Sequence, residues 1–375
     1  MKKDIFKQLH LWLSLPAGIF IVILCLTGGI LVFQDEWKYL AGYSFYHADK
    51  GNQESPLPLD GIIQTVQDTY PGTSISSMTL YADDARNIEF KLTGNQNTTL
   101  SVNPYSAQMY TPTSSGSFFT QIRSLHRWLL ATPDSFINQS AGRTIIGISS
   151  LCLCIILISG LVFSIPRKRS QWKQALSIKR GKTSFTWWFT SHRALGIYCA
   201  LFLFIMAATG PMWSFGGYRS FISGIFTSPE QGNGRMGQGQ GNQYRHGQNS
   251  DPTQQANISP AIAWIAALQA IRQDTPRFSK ITFQDNKALV QTKANAHPRA
   301  CDTYTFDESG HITSVQYYKD LTARSKVMQY AYIIHTGKWG GFVTKLLYFL
   351  ACIGGAYLTV SGYVLYWKKH IKAKK

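Results

Sequence analysis

Four runs of nearly continuous apolar residues constrain this chain more than any other feature. Leu11–Phe33, Thr144–Ile165 and Leu195–Phe215 are each about 20 residues long, and Phe342–Trp367 is comparable apart from Lys345 near its start. At 1.5 Å per residue, each run is long enough for a hydrocarbon core of roughly 30 Å. Lipid offers no hydrogen bonds to the backbone, so runs of this kind fold as helices that satisfy themselves. The expected class is a mainly α membrane protein built on a four-transmembrane-helix bundle. Met1–Asp4 and the long run behind it, with no small-residue cleavage site, are expected to remain as a first helix and not to act as a signal peptide.

Basic residues set the expected orientation. Lys2, Lys3 and Lys7 stand against Asp4 at the N-terminus, a net two charges. PRKRSQWKQALSIKRGK, between the second and third runs, carries seven positive charges and no acid, and the tail WKKHIKAKK carries five and no acid. These pieces hold fourteen of the eighteen net positive charges, and the positive-inside rule places all three in the cytoplasm. A strongly basic chain often binds nucleic acid, but here topology accounts for the charge.

The chain also reads as an internal duplication. His10, Phe20, Thr27-Gly28 and Phe33 recur as His192, Phe202, Thr209-Gly210 and Phe215 at a constant offset of 182. Arg143 and Ser159-Gly160 recur as Lys345 and Ser361-Gly362 at an offset of 202. Parallel repeats of this kind pack around an axis along the membrane normal, which would bring His10 opposite His192 and His126 opposite His335. Gly28, Gly160, Gly210 and Gly362 would let helices approach closely or admit a flat macrocycle.

Between the helices lie two small α+β modules. Pro58–Tyr70 has a helical pattern and is followed by strand-like Ile75–Tyr81, Asn87–Leu92 and Thr98–Val102, with a turn near Asn103-Pro104. Pro260–Arg272 repeats the helix, and Lys280–Gln284, Ala288–Lys293, Thr303–Phe306 and Ile312–Tyr318 repeat the strands, with Glu308-Ser309-Gly310 as a turn. The expected segments are helix 1 over 1–34, an extracytoplasmic module with the His126 segment over 35–140 and helix 2 over 141–166. A basic cytoplasmic loop follows over 167–188, then helix 3 over 189–215 and a second extracytoplasmic region over 216–338. Helix 4 covers 339–367 and the basic cytoplasmic tail 368–375. Within the second region, the Gly/Gln/Asn-rich stretch 231–250 cannot bury a core and is expected to be a disordered loop.

Four histidines sit at the ends of the apolar runs: His10 and His192 open the first and third, and His126 and His335 precede the second and fourth. A lone histidine at a helix end is most often an interfacial residue. Four in matching places point instead to a cofactor, because imidazole is the usual axial ligand of haem iron and helices can present histidines in facing pairs. Two pairs in two layers would hold two haems stacked across a bilayer, an electron wire. Structural zinc needs four ligands converging on one point, which pairs a membrane apart cannot supply. His47, His246, His297, His311 and His370 lie in polar segments and are expected at the surface.

There is no Cys-x-x-Cys-His, so covalent haem attachment is excluded and the haems would be b-type. Cys25, Cys152, Cys154, Cys199 and Cys352 fall within apolar runs as small packing residues, and Cys301 is the lone external cysteine. Arg127 and Arg193 each follow a candidate histidine directly and are placed to pair with haem propionates, with Lys338 and Arg143 as weaker candidates. Trp12, Trp128 and Trp339 follow His10, His126 and His335 by two to four residues, where aromatic belts also place tryptophan.

Taken in order, the four helices, the histidines, the [ST]-G pairs and the segments YTFDESGHITSV and LSVNPYSAQMY resemble the PepSY-associated transmembrane proteins along essentially the whole chain. Within that family the chain resembles the di-haem inner-membrane ferric-siderophore reductases of bacteria. The resemblance implies PepSY-like external modules, a bacterial cytoplasmic membrane location and two haem b groups. His10 and His192 would hold the cytoplasmic-side haem, and His126 and His335 the periplasmic-side haem. Electrons would pass from an unknown donor (protein, quinol or small reductant) to a ferric siderophore in the periplasm. One departure is that LATPDSFINQS separates His126 from its apolar run by more than the spacing after His335. No catalytic acid/base pair or nucleophile is found, as expected for electron transfer. Two other readings remain open: a haem-containing subunit serving another periplasmic partner, and a membrane-tethered PepSY regulator or peptidase inhibitor without redox chemistry.

Overall fold

A computed structural model describes residues 2–94, 98–112, 115–132, 135–166, 168–180, 183–226 and 260–370. The expected disordered loop at 231–250, together with His246, lies outside the described residues. The first half of the chain forms α1 (Lys2–Val32), α2 (Gln34–Ala41), α3 (Tyr43–Tyr46) and α4 (Leu59–Thr69), then β1 (Thr73–Tyr81), β2 (Ile88–Gly94), β3 (Thr98–Val102) and β4 (Met109–Tyr110). After these come α5 (Ser115–Trp128), α6 (Gln139–Ser164) and α7 (Trp172–Leu176). The second half forms α8 (Ser184–Thr209), α9 (Pro211–Ser214), α10 (Gly216–Ile225) and α11 (Pro260–Asp274), then β5 (Phe278–Gln284), β6 (Lys287–Thr292), β7 (Asp302–Phe306) and β8 (Ile312–Gln316). It closes with α12 (Ala323–His335) and α13 (Gly341–His370). The chain divides into a helical unit (1–38, 116–223 and 327–375) and a sheet unit (39–115 and 224–326).

In the helical unit, four helices among the described residues are long and apolar enough to cross a membrane: Asp4–Val32, Gln139–Ser164, Ser184–Ser214 and Lys338–Lys369. Two start on side-chain caps. The Asn138 carboxamide accepts from Ala141 N–H, and the Thr183 hydroxyl accepts from Thr186 N–H. Helix α1 packs on α6 and α13, and α8 packs on the same two, so the four close into a ring with α1 and α8 on one diagonal. The shared interior is made of Ala17, Ile21, Cys25, Leu157, Cys199 and Leu203, with Phe202 and Met206 packed against them. Close approach follows from the small residues. At Gly18 a Cβ would lie 2.5 Å from Tyr363 Oη, which itself donates to the Leu15 carbonyl at 2.5 Å. Large apolar side chains such as Ile19, Ile148, Ile158, Leu201 and Ile353 point away from the interior, as a helix facing lipid requires.

The two sets of strands join instead of forming separate modules. One eight-stranded antiparallel sheet runs β4-β3-β2-β1-β5-β6-β7-β8. The join is β1 against β5, with Thr79 paired to Thr282 and their hydroxyls 3.1 Å apart. The physical reason is that β1 and β5 would each be a bare edge in an isolated half, and pairing them removes both edges. Helices α4 and α11 touch each other and share one apolar core with the strands, built on Ile62, Met78, Phe90, Trp264, Ile271 and Phe283. The Trp264 indole donates to the Asp285 carbonyl at 2.8 Å, so its one polar atom is satisfied.

Of the histidines expected at the surface of this unit, one is buried and one is half-buried. His297 is 7% exposed; its Nδ1 accepts from Arg299 N–H, so its Nε2–H donates to Tyr318 Oη at 2.8 Å. His47 lies between the rings of Tyr39 and Tyr43, at centroid distances of 4.4 and 4.3 Å. Aromatic partners gather both rings, Tyr318 for His297 and the nearby Tyr39 and Tyr43 for His47, which local polarity does not report. His311 is exposed as expected.

Candidate functional site

The helical unit brings the four candidate histidines together as two pairs. The His10 and His192 ring centroids are 6.3 Å apart, and those of His126 and His335 are also 6.3 Å apart. The planes cross at 83° in the first pair and 58° in the second. His10 and His192 project from inside α1 and α8. His126 and His335 precede α6 and α13, as the sequence suggested, and sit at the C-terminal ends of separate helices, α5 and α12. A turn after each of these short helices lets the histidine fold back onto the bundle: Leu129 and Leu130 follow His126 with φ of 58° and 59°, and Gly337 follows His335 with φ of 70°.

Each imidazole is held through Nδ1 by the [ST]-G pair of a neighbouring helix. His126 Nδ1 is 2.8 Å from Thr27 Oγ1, and His335 Nδ1 is 2.9 Å from Thr209 Oγ1 and 3.1 Å from the Met206 carbonyl. His192 Nδ1 is 2.8 Å from Ser361 Oγ. His10 Nδ1 is 2.9 Å from the Ile156 carbonyl and 3.5 Å from Ser159 Oγ. The tautomer follows from these partners. Thr27, Thr209, Ser159 and Ser361 each give their hydroxyl hydrogen to a carbonyl of the preceding helical turn, so toward the ring they can only accept. Every Nδ1 therefore carries the hydrogen and every Nε2 keeps its lone pair. Among the described residues no hydrogen bond reaches the Nε2 of any of the four.

The glycines of the same pairs make room for the rings. A Cβ at Gly160 would lie 3.1 Å from His10 Cε1, one at Gly28 3.3 Å from His126 Cε1, and one at Gly362 3.6 Å from His192 Cε1. Gly210 differs, facing Ser150 Oγ at 3.0 Å. The sequence showed these pairs at matching offsets, but not that they seat the histidines. A signal was available: each hydroxyl lies 17 residues after a histidine on α1 and α8, a span of about 25 Å along a helix, so the two pairs lie about that far apart.

A ring centroid lies about 1 Å from Nε2, so two rings at 6.3 Å with Nε2 atoms turned toward each other would leave roughly 4 Å between the nitrogens, about twice a typical metal–imidazole bond. Each pair could hold one metal ion between its two imidazoles. Burial, joined by the charges of His335 and Arg127, pushes the His126 imidazole down to about 3. Burial likewise pushes His335 down to about 4, so both are neutral at pH 7.

The surroundings of the pairs differ from the sequence reading in places. Phe163 packs edge-on to His10 at 5.3 Å and Trp213 packs on His335 at 5.3 Å; neither was singled out from sequence. The Arg193 guanidinium donates to the Gln174 carbonyl at 2.5 Å, while Arg127 lies over the Trp128 ring at 4.9 Å. Lys338 is paired with Asp35 at 2.5 Å and Lys345 with Glu36 at 2.5 Å. All six cysteines are free thiols.

The family model for the PepSY-associated TM region matches residues 7–369. A comparison with curated proteins finds no match.

Proposed function

The chain belongs to the family of the PepSY-associated TM region, and from that premise we propose that it is a transmembrane electron-transfer protein with two haem b groups that reduces ferric siderophores in the periplasm. The single observation that carries this reading is the equal 6.3 Å spacing of two imidazole pairs whose Nδ1 atoms are all committed to the protein. His10 and His192 would hold one haem, and His126 and His335 the other. Bound haem supplies reversible one-electron redox chemistry. The protein's own contribution is to fix ring tautomer and orientation through Thr27, Ser159, Thr209 and Ser361, to seat three of the rings on glycine, and to keep the pairs within an apolar bundle.

The distribution of lysine and arginine supports both termini in the cytoplasm of a bacterial inner membrane, with the His10–His192 pair near the cytoplasmic face and the sheet unit in the periplasm. One electron delivered near His126 and His335 would convert Fe(III) in the chelate to Fe(II). Hard oxygen donors hold Fe(II) less tightly, so the metal is released. The donor on the cytoplasmic side would be a protein, a quinol or a small reductant. The two-fold recurrence of the histidine seats, and the Thr79–Thr282 pairing at the middle of the sheet, support an origin by duplication in which each half contributes one PepSY-like module.

A reduced-minus-oxidised visible spectrum with pyridine haemochrome quantitation tests the cofactor. About two b-type haems per chain are expected, and the reduced protein should reoxidise when ferric siderophore is added. Absence of haem from haem-replete cells would favour a tethered regulator. Haem that ferric chelates do not reoxidise would favour a subunit serving another periplasmic enzyme.

A further inference from the structure

The cations around the His126–His335 pair are neutralised on one side only. Asp35 and Glu36, just after α1, pair with Lys338 and Lys345. At the offset of 182, the positions of Asp35 and Glu36 are taken by Gly217 and Tyr218, just after α8. The counterpart of Lys345 is Arg143, and it has no acid to meet there. Gly142 packs on the Trp128 carbonyl, which brings Arg143 beside Arg127. Arg123 lies one turn before Arg127 on the same face of α5, and its guanidinium donates to Gln34 Oε1 at 2.6 Å. Among the described residues neither Arg127 nor Arg143 has an acidic partner. Arg143 and Arg123 both lie close enough to Arg127 to act on its charge, so the cluster repels itself as it stands. Arg123 and Arg127 are exposed, which suits a ligand arriving from solution.

Resting on the reading of this pair as the electron outlet, we propose that Arg127 and Arg143, with Arg123 beside them, dock a carboxylate-bearing ferric chelate next to His126 and His335. Guanidinium groups match carboxylates in a bidentate fork, and several converging on one anion relieve their mutual repulsion. Periplasmic positions are also where the positive-inside rule least accounts for three clustered arginines. The site would select anionic chelates over neutral or cationic ones.

The test uses gallium(III) citrate, a redox-inert stand-in for the ferric complex, so that binding is read whether or not the protein transfers electrons. Calorimetry is run on the full chain in nanodiscs of zwitterionic lipid, which leaves no anionic headgroup to compete. The double variant R127Q/R143Q should lose about tenfold or more in affinity, and wild-type affinity should fall with salt. K91Q/K287Q, which removes two exposed charges from the sheet unit, should bind as wild type. Equal affinity in wild type and R127Q/R143Q overturns the proposal. If that equality comes with lost haem in the double variant, the carboxylates served by these arginines are the cofactor's own propionates and the external site is refuted. No haem in any variant, with gallium citrate binding still dependent on the arginines, keeps the docking site and removes the redox reading.

Discussion

The Nδ1 of His126 stands 2.8 Å from the Oγ1 of Thr27, a residue 99 positions earlier in the chain. Thr27 gives its own hydrogen to the Ile23 carbonyl at 2.5 Å, so it can only accept from the ring. One hydroxyl thereby sets the tautomer of a histidine that belongs to another helix, and leaves the opposite nitrogen free for a metal.

Replacing Thr27 by valine keeps the shape and removes the acceptor. Affinity for haem at the His126–His335 pair should fall by about 10- to 100-fold, the usual cost of losing such an outer partner. Titration of haem out to apomyoglobin would then show one of the two haems leaving faster. Thr27→Ser should restore retention; equal retention in Thr27→Val would remove the role given to the hydroxyl.

His335→Ala should leave about one haem per chain, held by His10 and His192, and His10→Ala should leave the other. Unchanged stoichiometry in either variant would refute the pairing.

Gly160 tests the seat itself. A Cβ there would sit 3.1 Å from His10 Cε1, so alanine needs only a small shift of the ring while leucine must displace it. Haem content should be nearly normal in Gly160→Ala and about half in Gly160→Leu, with the His126–His335 haem spectrum retained. A leucine variant with full haem content would argue against a close seat.

The Asp35–Lys338 pair carries a pH dependence. Burial opposes ionisation of Asp35, but Lys338, then Lys345 and Lys38, outweigh it and hold the carboxyl below its usual value. A depressed acid stabilises the fold above its unfolded pKa of about 3.9 and loses that contribution as pH falls through the folded value. Asp35→Asn should therefore melt below wild type at pH 7, by up to about 1 kcal/mol for so exposed a pair, and match it under strongly acidic conditions. A deficit that persists in acid would assign the effect to packing.

In the sheet unit, Phe283 is fully buried and its ring stacks on Trp264 at 5.9 Å. Phe283→Ala should cost about 3–5 kcal/mol. The loss should appear as faster limited proteolysis between residues 260 and 326 and a red-shifted tryptophan emission, with haem content unchanged.

Much of this was legible before any coordinates. The expected strand Thr98–Val102 is β3 residue for residue, and the expected helix Pro58–Tyr70 differs from α4 by one residue at each end. Alternation of apolar residues is a local signal, and so is apolar length in α1, α6, α8 and α13. The pairing of His10 with His192 was also reachable, because a repeat offset implies a symmetry partner. Other features escaped. Nothing local marks Ser115–Trp128 as a separate helix ending on His126, nothing in its polar surroundings marks His297 as buried, and no edge signal announces that β1 would pair with β5.

The sequence by itself determined which segments are helices of membrane-spanning length, which are strands, and which histidines recur in matching places, because length, periodicity and offset all lie along one stretch of chain. Only the tertiary structure decided that Thr27 receives His126, that Ser361 receives His192, and that Asp35 and Glu36 neutralise one set of cations while, among the described residues, Arg127 and Arg143 meet no acid. A hydrogen bond or an ion pair depends on a few ångströms between groups about a hundred residues apart or more, and those ångströms come from how the helices pack around Gly28, Gly142 and Gly160.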